Sequence, residues 1–365
     1  MLEDTLEEIV DDDDGRVFTL NFTGGLRAWK SGEALWHLGP ITHDGKPVIK
    51  GQISTAQLQQ LTLDLGVRAI AFEDCVVTNG VYHTTLRAIL PGRTSQLFSA
   101  ADVWRNIESN LTKVRLKAFL DSNDKPNRDQ IHAVLDDKTS IEACSGYIGD
   151  SLRSIDISVS AICNHYNSQL VSAIRSGHDE DQRFSTAADI SLYAHVHAFF
   201  LQIGAARDYL AKLISIRIGY GESKDSMAKL VDVLRSDKIP NDPMLQHIIS
   251  EGYIVVKEIG RKMVTANWLK EVTDIRNQFV HKRPYGSVSK ESMGKIEGIQ
   301  NKPGFSKYYR GAVLPSGDEY DLLDTVAHHY IICNKLFHDI SSLSGLDNKI
   351  ITITDKDIIS IKSNP

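Results

Sequence analysis

The stretch Asp274-Ile275-Arg276-Asn277-Gln278-Phe279-Val280-His281-Lys282-Arg283-Pro284-Tyr285-Gly286 decides how the second half of this 365-residue chain is read. Pro284 disfavours the helical conformation at Arg283, so any helix arriving here must stop. Upstream, apolar residues recur at steps of three and four: Leu245, Ile248, Ile249, Val255, Val256, Ile259, Met263, Trp268, Leu269, Val272, Ile275 and Phe279. That spacing predicts one long amphipathic helix ending at the proline, with a kink near Gly260 or residues 265–267. Its start is marked by Asp242, a capping residue, and Pro243, whose missing N–H suits the first helical position. His281 then falls in the last helical turn.

Working outward, the region 141–345 reads as a mainly α-helical bundle. Ile148, Leu152, Ile155, Val159, Ile162, Tyr166 and Leu170 form the stripe of a helix of about seven turns. A second long helix follows Thr186, which forms a capping box with Asp189, and Gly219 and Gly221 end it. Two long helices joined by a polar turn imply an antiparallel pair. A shorter helix is expected at Ser226 to Ser236, and a last one from Tyr320 to about Ser342. Between Gly286 and Asp318 the sequence reads as a long loop; Lys282 to Arg310 holds seven bases against Glu291 and Glu297.

The region 16–120 has a different rhythm. Strands are expected at 17–22, 47–53, 67–76 and 81–90, with a turn at 43–46 and a hairpin signal at Asn79-Gly80. Ser99 and Asp102 form a capping box that opens a helix. The first part is therefore an α+β domain, read as a sensing or partner-binding module. Residues 121–140 are polar enough for a linker, and 346–365 reads as a C-terminal strand segment. Eight of the 47 acids lie in the first fourteen residues, an acidic tail over 1–15 expected to be mobile. The remaining 39 acids balance 41 bases, so charge must be read locally.

Composition excludes several classes. Cys75, Cys144, Cys163 and Cys333 are widely spaced, without metal-ligand rhythm, and read as reduced core thiols. The N-terminus lacks the basic start and apolar run of a secretory signal. No apolar stretch approaches a membrane span of about 18 residues. Thr23-Gly24-Gly25 is a turn and not a phosphate-binding loop. The expectation is a cytoplasmic protein that needs neither metal nor cofactor and contacts no membrane. His195 and His197 face apart on their helix, and His328 and His329 read as packing residues.

The chemistry concentrates at Arg276 and His281. An imidazole near neutrality can move the proton of an RNA 2′-hydroxyl, and a guanidinium can hold a negative phosphorane. On an ideal helix, however, residues five apart point roughly 140° away from each other. The pair can converge only if the last turn unwinds or if a second copy of the chain completes the site across a two-fold interface.

Arg276-Asn277-x-x-x-His281 resembles the R-x4-H signature of the HEPN superfamily (higher eukaryotes and prokaryotes nucleotide-binding). In that superfamily the motif ends a helix of a helical bundle and a further helix follows. The resemblance covers about residues 145–345. It implies a HEPN-like fold and a metal-independent endoribonuclease of toxin or antiviral-defence type that acts as a homodimer. Arg276 and His281 would be catalytic, and Asn277 would orient the site. The tyrosine that often stands two residues after the histidine is replaced by Arg283, with Tyr285 four residues after it. Lys282, Arg283, Tyr285, Lys307, Tyr308 and Arg310 are the expected substrate-binding residues, contacting RNA by charge and stacking. A regulatory protein partner or ligand is expected at the N-terminal domain. The rival reading is a non-catalytic helical module that binds RNA or protein through the basic loop.

Overall fold

The computed structural model describes residues 6–8, 18–31, 35–78, 81–92, 98–257 and 260–350. An α+β N-terminal region is followed by a mainly helical region. The first is a seven-stranded antiparallel sheet, in spatial order β1-β5-β4-β3-β2-β6-β7, built from Leu6–Glu8 (β1), Phe18–Phe22 (β2), Arg27–Ser31 (β3), Leu35–His43 (β4), Lys46–Ser54 (β5), Ala69–Thr78 (β6) and Val81–Ala88 (β7). Helix α1, Thr55–Asp64, leaves β5 through a reciprocal capping box between Ser54 and Gln57. Strand β1 lies inside the segment expected to be a mobile tail: Leu6 pairs with Lys50, extending the sheet edge. The Asn79-Gly80 hairpin turn lies outside the described residues; the strands on either side of it, β6 and β7, pair antiparallel.

Helix α2, Ala100–Ser122, begins at the expected Ser99–Asp102 capping box. The span 121–140 is not a plain linker: Asn127 caps a short exposed helix, α3, Arg128–Asp136. Helix α4, Ser140–Arg175, is ten turns long, not seven, and runs about 54 Å through the molecule. It packs on α2, on the sheet and on the antiparallel α5, Asp189–Arg217. The tie between α2 and α4 is partly ionic. Glu142, buried in α4, accepts from Arg115 at 2.7 Å and 2.9 Å. Apolar side chains from both regions, among them Leu38 and Ile70 of the sheet and Ile155, Leu210 and Val326 of the helices, belong to one continuous core.

The long helix expected from Pro243 to the proline stop is instead five elements. Before it, Ser226 caps the expected shorter helix, α6, Met227–Val233; Asp242 then caps α7, Pro243–Ser250, through the amides of Met244 and Leu245. Gly252, at φ +73°, then turns the chain where an L-residue would be strained. A hairpin of Ile254–Val256 (β8) and Met263–Thr265 (β9) follows, then α8, Asn267–Asn277, and a single π-helical turn, Gln278–Lys282. Val255 and Val256, counted in the helical stripe, lie exposed on β8, and it is Ile254 and Met263 that face the core.

The expected loop after Gly286 is also structured. A short helix α9, Ser289–Ser292, leads into a three-stranded antiparallel sheet of Gly294–Gly298 (β10), Ser306–Val313 (β11) and Glu319–Asp321 (β12). Asp321 then caps the last helix, α10, Leu322–Leu343. The C-terminal strand segment expected over 346–365 lies mostly on 351–365, outside the described residues. Among the described residues, no helix is long and apolar enough to cross a membrane.

Candidate functional site

Helix α8 buries Trp268, Leu269, Val272 and Ile275, a stripe at helical spacing that holds it in the bundle beside α5. The next two residues, Gln278 and Phe279, are both buried although they are adjacent. Gln278 donates its side-chain amide to the Val313 carbonyl at 2.7 Å, at the end of β11. Phe279 fills the space between His197 (5.7 Å, stacked), Phe200 (5.5 Å) and Tyr285 (5.8 Å). These two demands are met by widening the turn. The Arg283 N–H bonds the Gln278 carbonyl at 2.8 Å, an i to i+5 closure.

The closure bears directly on Arg276 and His281. Only the second half of the Arg276–His281 span, from Gln278 on, lies in the π-turn, where each residue advances less than in an α-helix, so the divergence of about 140° is narrowed in part; Arg276 lines a cleft that His281 does not. Such turns concentrate at functional sites. His281 ends up exposed, and among the described residues its ring has no hydrogen-bond or ionic partner; Lys282 beside it is likewise exposed and free. Asn277 is half-buried.

Arg276 turns toward α5. With His197, Phe200, Leu201, Phe279 and Val280 it lines a small cleft of about 80 Å³. Its side chain crosses α5 at Gly204, and its buried Nε has no hydrogen-bond partner. One turn further along α5 lies Arg207, buried, bonded to Thr273 and 3.5 Å from Asp208. Burial lowers the pKa of Arg207, Asp208 opposes that, and the charge of Arg276 lowers it further. The two guanidinium groups thus repel each other, with Asp208 the carboxylate beside Arg207.

Two contributors were not visible in the sequence reading. His197 accepts a hydrogen bond at Nε2 from the Tyr285 backbone N–H at 2.9 Å, and burial lowers its pKa, opposed by Glu291, so the ring is neutral at pH 7. Arg207 was missed because it comes from another helix. The small run Gly204-Ala205-Ala206 before it is the signal that α5 lets a neighbour approach closely.

Most of the residues expected to bind substrate are placed elsewhere. Tyr285, Tyr308 and Arg310 are buried in the core, a correction to the expected binding loop. Arg310, fully enclosed, pairs with Asp189 at 2.9 Å and donates to the carbonyls of Glu291 and Ser292 and to the Tyr193 and Tyr308 hydroxyls. Tyr285 donates its hydroxyl to the Gly311 carbonyl at 2.8 Å. Arg283 pairs with the buried Glu291 at 2.7 Å and also bonds the Val313 carbonyl, which braces the π-turn from its far end. Lys307 donates to the Gly66 carbonyl at 3.1 Å. Lys290, Lys295 and Lys302 pair with Glu319, Asp181 and Asp64 at 2.6, 2.7 and 2.7 Å. Of the seven bases from Lys282 to Arg310, Lys282 alone is without such a partner among the described residues. Comparison with protein-family models, with curated proteins and with solved structures gives no match for this chain.

Proposed function

We propose that this chain is a metal-independent endoribonuclease of the HEPN type, a toxin or antiphage defence effector that works as a homodimer. The observation that carries the reading is the π-turn inside Arg276-x4-His281. It supplies the distortion that the chemistry demands of a single helix, and Gln278, Phe279 and Arg283 hold it in place.

In this reading His281 takes the proton of the RNA 2′-hydroxyl as the oxygen attacks the adjacent phosphorus. Arg276 holds the charge that develops on the non-bridging oxygens. The bond to the 5′-oxygen breaks, that oxygen takes up a proton, and the products are a 2′,3′-cyclic phosphate and a 5′-hydroxyl. Asn277 orients the site, and Lys282 meets a flanking phosphate. Arg207 raises the positive potential around Arg276. The exposed Leu201 and Val280 flank the Arg276 cleft as an apolar rim suited to a second copy of the chain. The N-terminal region receives the regulatory partner or ligand.

The test is incubation of the purified chain with total RNA in EDTA, beside Arg276→Ala and His281→Ala. Cleavage by the wild type and its loss in both variants is expected. Equal cleavage by all three would defeat the proposal and leave the non-catalytic interaction module as the better reading.

A further inference from the structure

A second cleft, of about 660 Å³, shares no lining residue with the one at Arg276. It lies where the outer face of α8 meets the start of α10. Glu271 of α8 and His328 and His329 of α10 meet there, each offering a ligand atom within 4.8 Å of the others.

His329 is fully buried, yet neither of its ring nitrogens has a hydrogen-bond partner. A neutral imidazole carries one donor and one acceptor, and buried groups of either kind are nearly always paired. The ring is held by an edge-on contact with Phe200 at 5.5 Å and another with His328 at 5.2 Å. Its Nε2 stands 3.8 Å from the Glu271 carboxylate, too far for a hydrogen bond. It is the separation expected of two ligands on one ion. Metal–ligand bonds of about 2.0 to 2.2 Å place two donors roughly 3.3 Å apart at a tetrahedral angle and about 4 Å apart at a wide one.

The charge balance of the cleft points the same way. Its lining holds Arg68 and Lys270 against Glu271, Asp274, Asp318 and Asp324, two bases against four acids. Both bases are engaged, Arg68 with Asp324 and Lys270 with Asp274, and Glu271 meets no Lys or Arg among the described residues.

We propose that His328, His329 and Glu271 bind one divalent transition-metal ion, zinc by preference, with an open coordination position facing the cleft. Two imidazoles and a carboxylate are a donor set of borderline softness, and three protein ligands leave the fourth position for water or a substrate oxygen. No sequence signal marks this site, since adjacent histidines point about 100° apart on a helix and Glu271 comes from a different element. The inference does not rest on the roles given to Arg276 and His281.

The test uses the full chain without a polyhistidine tag, stripped by EDTA and dialysed free of chelator. Titration with zinc chloride in a calorimeter should show one saturable site per chain, and cobalt chloride should give the visible bands of a four-coordinate ion. His328→Ala and Glu271→Gln alter exposed or half-exposed side chains and are checked for folding by circular dichroism. Each should weaken zinc binding at least about tenfold. Absence of saturable binding, or binding that both variants leave unchanged, would overturn the proposal.

Discussion

Gly204 of α5 lies directly beneath Arg276 of α8: a Cβ at position 204 would stand 2.9 Å from Arg276 Cδ and 3.1 Å from its Nε. A glycine inside a helix costs about 1 kcal/mol relative to alanine. The position it opens lets the guanidinium cross α5 to reach the cleft of His197 and Phe200.

Gly204→Ala separates the fold from the site. The clash falls on a flexible side chain, so the chain should fold with a stability change within about 1 kcal/mol. Arg276 must move, and a displacement of about 1 Å at a catalytic group can lower turnover roughly 100-fold. Thermal melts beside RNA cleavage rates would show an unchanged melt and a large loss of rate. A variant that cleaves as fast as the wild type would mean that the placement of Arg276 is unimportant.

Arg310 and Asp189 should behave in the opposite way. Their 2.9 Å ion pair joins β11 to the first turn of α5 in the buried core. Removing one partner leaves the other charge buried and uncompensated, at about 3 to 5 kcal/mol. Arg310→Met should therefore lower the urea midpoint sharply. Loss of cleavage should follow the loss of folded protein, with no separate effect on RNA affinity at low denaturant.

The sequence was legible where the signals were local. The Ser99–Asp102 box, the Asp242 cap with Pro243 and the long stripe of α4 each depend on residues within a few positions of one another, and each has its counterpart in the structure. Signals that required distant partners were misread. The bases from Lys282 to Arg310 looked unbalanced because their acids, Asp64, Asp181 and Asp189, lie more than a hundred residues upstream. The hairpin of β8 and β9 was hidden because Val255, Val256 and Met263 continue a helical spacing while Gly252 breaks the helix. At the site, the need for either an unwound turn or a second copy of the chain followed from the angle between Arg276 and His281. Arg207 and His197 did not, because a single helix carries no record of what packs on it.

Acid should weaken the fold through His329. Its pKa is lowered from 6.5 to about 3, so the unfolded chain binds a proton that the folded chain refuses. The stability that follows from keeping it neutral is present above the unfolded pKa and is lost as pH falls from 6.5 toward 3. At pH 5 the loss from this group is about 2 kcal/mol. His329→Leu removes the titration. Urea denaturation at pH 7 and pH 5, in chelator, should show a fall for the wild type that is larger than that of the variant by about this amount. Equal falls would show that His329 is not held neutral.

Lys282 should affect function without affecting stability. It follows His281 and is exposed with no ionic partner among the described residues. Lys282→Glu should change stability by less than about 0.5 kcal/mol. Its RNA cleavage should fall and should lose part of its salt dependence, since one phosphate contact is gone. Cleavage rates across a salt series would check this. An unchanged salt slope would place the RNA away from the π-turn.

The last prediction concerns which copy of the chain supplies Arg276 and which His281 under the proposed reading. An undistorted helix would require Arg276 from one copy and His281 from another, and mixing Arg276→Ala with His281→Ala chains would then rebuild one intact pair in every mixed dimer. The π-turn closed by Arg283 and Gln278 at 2.8 Å narrows the angle between the two groups, and under the proposed reading both then come from a single chain. Each variant then spoils its own copy, and the mixed dimer contains no intact pair. Unfolding the two variants together in urea, refolding the mixture and assaying cleavage should give no more activity than the separate variants give. A recovery to a sizeable fraction of wild-type rate would show that the site is shared between copies and that the π-turn serves another purpose.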